Sequence, residues 1–145
     1  MRPNKLLGQH FLRCAWVSDA MLDSAEITAS DTVLEIGPGT GSLTRPLASR
    51  ARFVVAVEKD ELLAEQTARA LTQQSILNVR IITGDVLSLL PNLPHYDKVV
   101  ANIPYYLTGR LLRRLFEMPD LPCTIVLMVQ EEVARRVAAK PPQMN

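Results

Sequence analysis

The chain has 145 residues and a mass of 16.1 kDa, enough for one domain and too little for two independent cores. Hydrophobic residues make up 48 % and charged residues 21 %, the balance of a packed globular domain rather than a disordered chain, and no apolar run approaches the roughly 18 residues of a membrane-spanning helix. The formal net charge of +1 excludes a strongly basic, histone-like domain but leaves room for local basic patches.

The opening residues carry Arg2, Lys5 and Arg13 and no acid, and lack the apolar stretch of a secretory leader. Ser18 to Ile27 is expected to be a helix capped by Ser18. Thr32 to Ile36 reads as a buried strand, broken by Gly37 to Gly41. Ser42 to Arg50 follows as a helix, with Pro46 tolerable only in its first turn. Phe53 to Val57 is a second strand. Asp60 to Leu71 is a helix with Asp60 as N-cap and Leu62, Leu63, Ala70 and Leu71 as its apolar positions. Val79 to Thr83 is a third strand, ended by Gly84 and Asp85, and Asp97 to Ala101 a fourth. Leu107 to Phe116 is helical, with Leu107, Leu111, Leu112, Leu115 and Phe116 on one stripe and Arg110, Arg113 and Arg114 off it. Cys123 to Val129 is a fifth strand and Glu131 to Lys140 a last helix.

Strands that alternate with helices and read as continuous apolar runs imply a doubly wound α/β fold: a parallel sheet with helices on both faces. In such sheets, ligands bind beyond the carboxyl ends of the strands. Four groups fall at such ends: Gly37-Pro-Gly-Thr-Gly41, Glu58, Asp85, and Asn102-Ile-Pro-Tyr105. Glycines let the backbone turn sharply and approach a ligand, and the helix start that follows offers unpaired N–H groups to an anion. Glu58 lies about 20 residues beyond them, where a carboxylate can accept from both hydroxyls of a ribose. Asp85 is placed to accept from an adenine amine. The set suits an adenosine with a carboxylate tail. A dinucleotide fingerprint requires a further glycine where this chain has Ser42, so the spacing favours S-adenosylmethionine over NAD.

Asn102, Ile103, Pro104 and Tyr105 are the most specific feature. An amine conjugated to a purine is a poor nucleophile because its lone pair is delocalised. The Asn102 side-chain oxygen and a backbone carbonyl beside Pro104 are suited to accept its two hydrogens and so aim the lone pair at a methyl donor. Pro104 fixes the backbone, and Tyr105 is suited to stack on the base. Such catalysis is mainly positioning and hydrogen bonding in a dry site. The bland alternative is an Asn-Pro turn beside a half-buried tyrosine.

Lys5-Leu-Leu-Gly-Gln-His-Phe-Leu12, Leu34-Glu-Ile-Gly-Pro-Gly-Thr-Gly-Ser-Leu-Thr44, Ala56-Val-Glu58, Gly84-Asp-Val86 and Asn102-Ile-Pro-Tyr-Tyr-Leu-Thr108 resemble, in order and spacing, the ribosomal RNA adenine dimethyltransferases. The resemblance covers nearly the whole chain and is nearest the small-subunit enzymes. It implies a Rossmann-like class I S-adenosylmethionine-dependent methyltransferase fold. It also implies methylation of N6 on two adjacent adenosines near the 3′ end of small-subunit ribosomal RNA, and a part in ribosome maturation. By this resemblance His10, Leu12, Gly37, Glu58, Asp85 and Asn102 would line the cofactor site, Tyr105 would hold the target base, and small-subunit ribosomal RNA would be the partner, with no metal and no membrane. Glu35 is expected to bond the amides of the glycine loop.

The family pattern has about seven strands and a helical domain, so this chain is expected to be an N-terminal portion, open-edged after its fifth strand. Residues 1–30 are expected to form an RNA- and cofactor-contacting segment and residues 31–145 an incomplete catalytic domain. Cys14 and Cys123, distant in sequence, fit neither a disulfide scaffold nor a four-Cys zinc site, and suit a cytoplasmic setting. Three basic clusters are candidates for RNA phosphates: the N-terminus, Arg110 with Arg113 and Arg114, and Arg135 with Arg136 and Lys140. Two other readings stand beside this one: a large-subunit methyltransferase of the macrolide-resistance type, and a non-catalytic RNA-binding or assembly module.

Overall fold

The computed structural model describes residues 14–141. Five strands form one parallel sheet in the order β3-β2-β1-β4-β5: β1 (Thr32–Ile36), β2 (Phe53–Glu58), β3 (Val79–Thr83), β4 (Lys98–Asn102) and β5 (Thr124–Met128). The chain adds β2 and β3 to one side of β1, then returns to place β4 on the other. The sheet therefore has its switch point between β1 and β4, where doubly wound sheets open a crevice.

Alternation along each strand divides the core in two. Val33, Val54, Ala56 and Val100 face α1 (Ala15–Ala25) and α2 (Thr44–Arg50), where Met21, Leu22, Ala25 and Leu47 are buried. Leu34, Ile36, Val55, Val57, Val99 and Ala101 face the other way, onto α4 (Val86–Leu89) and α5 (Thr108–Phe116) through Val86, Leu111 and Leu115. Being covered on both sides is why β1 is buried at all five positions, with Glu35 the single acid among them. Between β2 and β3 runs α3 (Glu61–Gln73), and after β5 comes α6 (Glu131–Ala138), none of whose residues is buried. Along β5 every residue is partly exposed. No helix among the described residues is long and apolar enough to cross a membrane.

The strands match expectation to within a residue at each end, and Asp60 caps α3 by accepting the Leu63 N–H at 3.0 Å. Several helix details differ. The first helix begins at Ala15, a turn before Ser18, which lies inside it and is buried. Residues 42 and 43 are a turn, so α2 starts at Thr44. Leu62 and Phe116 are 62 % and 64 % exposed. Each is one residue from the buried stripe, and one residue turns a helix by about 100°. The short α4 went unanticipated, because four residues cannot display a helical period. Met21, Leu22 and Ala25 of α1 belong to the core, so this helix is part of the sheet's own packing.

Candidate active site

The strand register brings the four predicted groups to one end of the sheet. Ile36 sits opposite Val57 and Ala101, Glu58 opposite Thr83, and Asn102 closes β4. One cavity there is lined by Gly37 and Gly39, by Glu58, by Gly84 and Asp85, and by Asn102, Ile103 and Pro104. Gly37, Glu58, Asp85 and Asn102 are therefore assembled as expected from sequence. His10 and Leu12, with the basic residues Arg2, Lys5 and Arg13, lie outside the described residues.

The glycine loop leaves β1 at once. Gly37 has φ +72° and its N–H donates to the Val57 carbonyl at 2.9 Å, while a Cβ at this position would stand 3.8 Å from the Asn102 carbonyl. The loop thus passes close to the Asn102 segment across the switch point. Gly41 is still more restricted. At φ +88° an added Cβ would lie 2.8 Å from Arg45 Nη1 and 3.3 Å from Thr67 Cγ2.

Glu58 holds this loop in place. It is 4 % exposed and uses both oxygens: Gly39 N–H donates to Oε2 at 3.0 Å and Asp60 N–H donates to Oε1 at 3.0 Å. One carboxylate therefore ties the glycine loop to the start of α3. On the other side of the same peptide unit's residue, the buried Thr67 hydroxyl donates to the Gly39 carbonyl at 2.6 Å. Farther out, Arg45 donates from Nη1 to the Thr40 carbonyl at 2.9 Å and from Nε to Gln74 Oε1 at 2.8 Å. Sequence reasoning missed Thr67, Arg45 and Gln74. The signal for Thr67 was present: it lies four residues from both Leu63 and Leu71, a hydroxyl on an apolar stripe.

Asp85 caps α4, its Oδ1 accepting the Leu87 N–H at 2.9 Å. Residues Tyr105–Leu107 form a single 3₁₀ turn, in which Leu107 N–H donates to the Pro104 carbonyl at 3.0 Å. That turn fans successive side chains apart. Tyr106 lines the cavity, whereas Tyr105 is 57 % exposed, stands outside the lining, and meets Tyr106 edge to face with ring centroids 6.0 Å apart. Ile103 is buried against Leu111 and Leu115 and anchors the segment from beneath.

Glu35 does not meet the loop amides. It is fully buried, and its Oε2 accepts from the Thr44 hydroxyl at 2.6 Å, joining β1 to the first turn of α2. Burial pushes its carboxyl up to about 8; the Thr44 bond opposes this and the nearby Glu58 charge adds to it. The native state therefore keeps a proton that the unfolded chain releases near 4.5. Stability is full below that value and is lost as pH rises through about 8, with a slope of up to about 1.4 kcal/mol per pH unit. Glu35→Gln keeps an acceptor for Thr44 and removes the titration. Its urea midpoint is expected to stay level across this window while that of the wild type falls; parallel profiles would refute a neutral Glu35.

A glycine loop after β1, an acid after β2, another after β3 and an Asn-Ile-Pro-Tyr segment after β4, on a 3-2-1-4-5 parallel sheet, define a Rossmann-like methyltransferase fold of the S-adenosylmethionine-dependent class. Residues 1–144 match the ribosomal RNA adenine dimethylase family, and the chain belongs to that family. It is 43 % identical over 146 aligned residues to the ribosomal RNA small subunit methyltransferase A of Deinococcus radiodurans, covering all of this chain and 49 % of that protein. Among solved structures it resembles a dimethyladenosine transferase from Plasmodium falciparum, with TM-score 0.83 and 32 % identity over 90 % of this chain and 47 % of that one. It also resembles the 23S rRNA methyltransferase ErmE, with TM-score 0.75 and 31 % identity over 88 % of this chain and 50 % of that one. The chain spans about half the length of the curated relatives it matches.

Proposed function

We propose that this chain forms the cofactor- and base-binding part of an S-adenosylmethionine-dependent methyltransferase acting on N6 of adenosines in small-subunit ribosomal RNA, within the cytoplasm. The observation that carries the reading is the convergence of Gly37, Glu58, Asp85 and Asn102 on one cavity at the switch point. The small-subunit name of the Deinococcus relative supports the RNA class. The likeness to ErmE favours, as a second reading, adenosines of large-subunit RNA.

The residues present fit the cofactor. Gly37 leaves open a space that a side chain would fill, beside the Asn102 carbonyl. Glu58 has its two oxygens fixed by backbone N–H groups, with further lone pairs for two ribose hydroxyls. Asp85 spends Oδ1 on Leu87 and keeps Oδ2 for an adenine amine. By the family resemblance, His10 and Leu12, outside the described residues, would join the same site. When bound, S-adenosylmethionine supplies an electrophilic methyl group.

The chain's own part is to make the amine reactive. Asn102 Oδ1 accepts one N6 hydrogen. The Ile103 carbonyl accepts the other, since the Pro104 carbonyl already receives Leu107 N–H. Two acceptors draw the nitrogen toward a pyramidal shape and localise its lone pair. Tyr105 and Tyr106, set edge to face, offer the target base an aromatic surface. The proton becomes acidic only as the new bond forms, so no strong base is required beforehand.

The test is transfer of labelled methyl groups from S-adenosylmethionine to undermethylated small ribosomal subunits, with large subunits in parallel. Label on small-subunit adenosine N6 is expected. Label confined to the large subunit would favour the second reading, and RNA binding without transfer to either would favour the assembly module. A subtler outcome concerns Thr67. Thr67→Val strands the buried Gly39 carbonyl and is expected to weaken S-adenosylhomocysteine binding about fivefold, equivalent to about 1 kcal/mol, while Thr67→Ser restores it. Calorimetric titration of both variants decides; a Val variant that binds like wild type removes Thr67 from loop positioning.

A further inference from the structure

A second groove shares Leu87, Tyr106 and Arg110 with the cofactor cavity and continues along α5 past Gly109, Arg113 and Arg114 to Glu117. Its wall follows from helix periodicity. Leu111 and Leu115 point into the core, and Arg110, Arg113 and Glu117 recur at three- and four-residue spacing on the outer face. Gly109 leaves the floor open, because a Cβ there would meet nothing within 4 Å.

The groove's charge is only partly compensated. Arg114 is engaged: its Nε donates to the Leu87 carbonyl at 3.3 Å and its Nη1 lies 3.6 Å from Glu117 Oε2. Arg110 and Arg113 are exposed and have no acidic partner among the described residues. Elsewhere in the fold Arg50, Arg69 and Arg135 each meet a carboxylate, while Arg80 and Arg136 are exposed without one among the described residues but line neither cavity. Two uncompensated guanidinium groups, shaped for bidentate contact with phosphate, therefore stand in a groove that opens from the site of the target base.

We propose that this groove holds the phosphodiester backbone of the RNA strand that continues from the target adenosine, with Arg113 on a phosphate and Arg110 at the junction with the base site. The inference rests on the function proposed above and names the path of its substrate. Glu117, neutralised by Arg114, marks the end of the basic stretch. The strand is recognised by its charge and reach, so this contact positions the RNA without reading its sequence.

The experiment measures binding of a fluorescein-labelled RNA hairpin, whose loop carries two adjacent adenosines, by anisotropy across a salt series, with calorimetric binding of S-adenosylhomocysteine alongside. Arg113→Ala is expected to weaken RNA binding about tenfold and to make the slope of log affinity against log salt shallower by about 0.7. Its S-adenosylhomocysteine affinity is expected to match wild type, because Arg113 lines the groove and not the cofactor cavity. Unchanged RNA affinity and slope in Arg113→Ala would overturn the groove assignment and leave the cofactor reading standing. An equal loss in Arg136→Ala, on α6 and outside both cavities, would overturn it too, since a diffuse positive field would then account for binding. Loss of S-adenosylhomocysteine binding in the wild type would instead strike the proposed function itself.

Discussion

Glu58→Ala is expected to weaken S-adenosylhomocysteine binding by about 100-fold or more, corresponding to about 2.7 kcal/mol. The variant loses two things at once. The first is the acceptor proposed for the ribose hydroxyls. The second is the bridge that fixes the Gly39 and Asp60 N–H groups, which would be left without their charged acceptor. A hydrogen bond to a charged group contributes about 1.5–3 kcal/mol, so one lost ligand contact together with a loosened loop reaches that figure. Part of the loss appears as stability, because the loop and the start of α3 are joined with or without ligand. Calorimetry and a urea midpoint on the same sample separate the shares. Glu58→Gln retains one acceptor oxygen and is expected to fall between the two. An Ala variant with wild-type affinity would show that Glu58 is a structural acid alone.

The strand ends were legible because each is marked twice in sequence: a continuous apolar run, then a glycine, an acid or a proline that cannot extend it. Parallel pairing then forces those ends onto one side of the sheet, so Gly37, Glu58, Asp85 and Asn102 could be grouped without coordinates. What could not be read were bonds that depend on how helices sit. Thr67 reaches Gly39 only because α3 packs along β2 and β3, and Arg45 reaches Gln74 only because α2 and the end of α3 are neighbours. Glu58 was legible as an acid at the end of β2 but not as the residue that pins the glycine loop.

Local errors have local causes. Serine is a good cap and also an acceptable interior residue, so Ser18 gave a plausible helix start one turn too late. A run of two or three apolar residues fits two registers of a helical stripe, and packing decided against Leu62 and Phe116. The tyrosines show the same limit. Sequence cannot distinguish an α start from a 3₁₀ turn after Pro104, yet that choice puts Tyr106 in the cavity wall and Tyr105 outside it. Glu35 was placed correctly beside the loop, but its partner depended on where α2 begins, and Thr44 is the first residue of that helix.

Asn102→Ala is expected to lower the rate of methyl transfer by about 10²–10³-fold, the range seen when one preorganised hydrogen-bonding group is removed from a reacting centre. The position is demanding. Asn102 ends β4 opposite Met128, its carbonyl faces the glycine loop, and the buried Ile103 and rigid Pro104 that follow fix the direction of the chain. On the proposed reading, its amide oxygen is the acceptor for the target amine. Asn102→Asp tests whether acceptance alone suffices. The carboxylate keeps an acceptor but brings a negative charge and removes the amide donor, so transfer is expected to recover only in part. RNA affinity is expected to hold in both variants, because the groove residues proposed to grip the strand are untouched. Single-turnover transfer and anisotropy on the same samples decide the case. An Ala variant that transfers methyl groups at the wild-type rate would remove Asn102 from the chemistry and leave it a turn residue. A variant that loses RNA binding in parallel would place its effect on folding of the segment instead of on the amine.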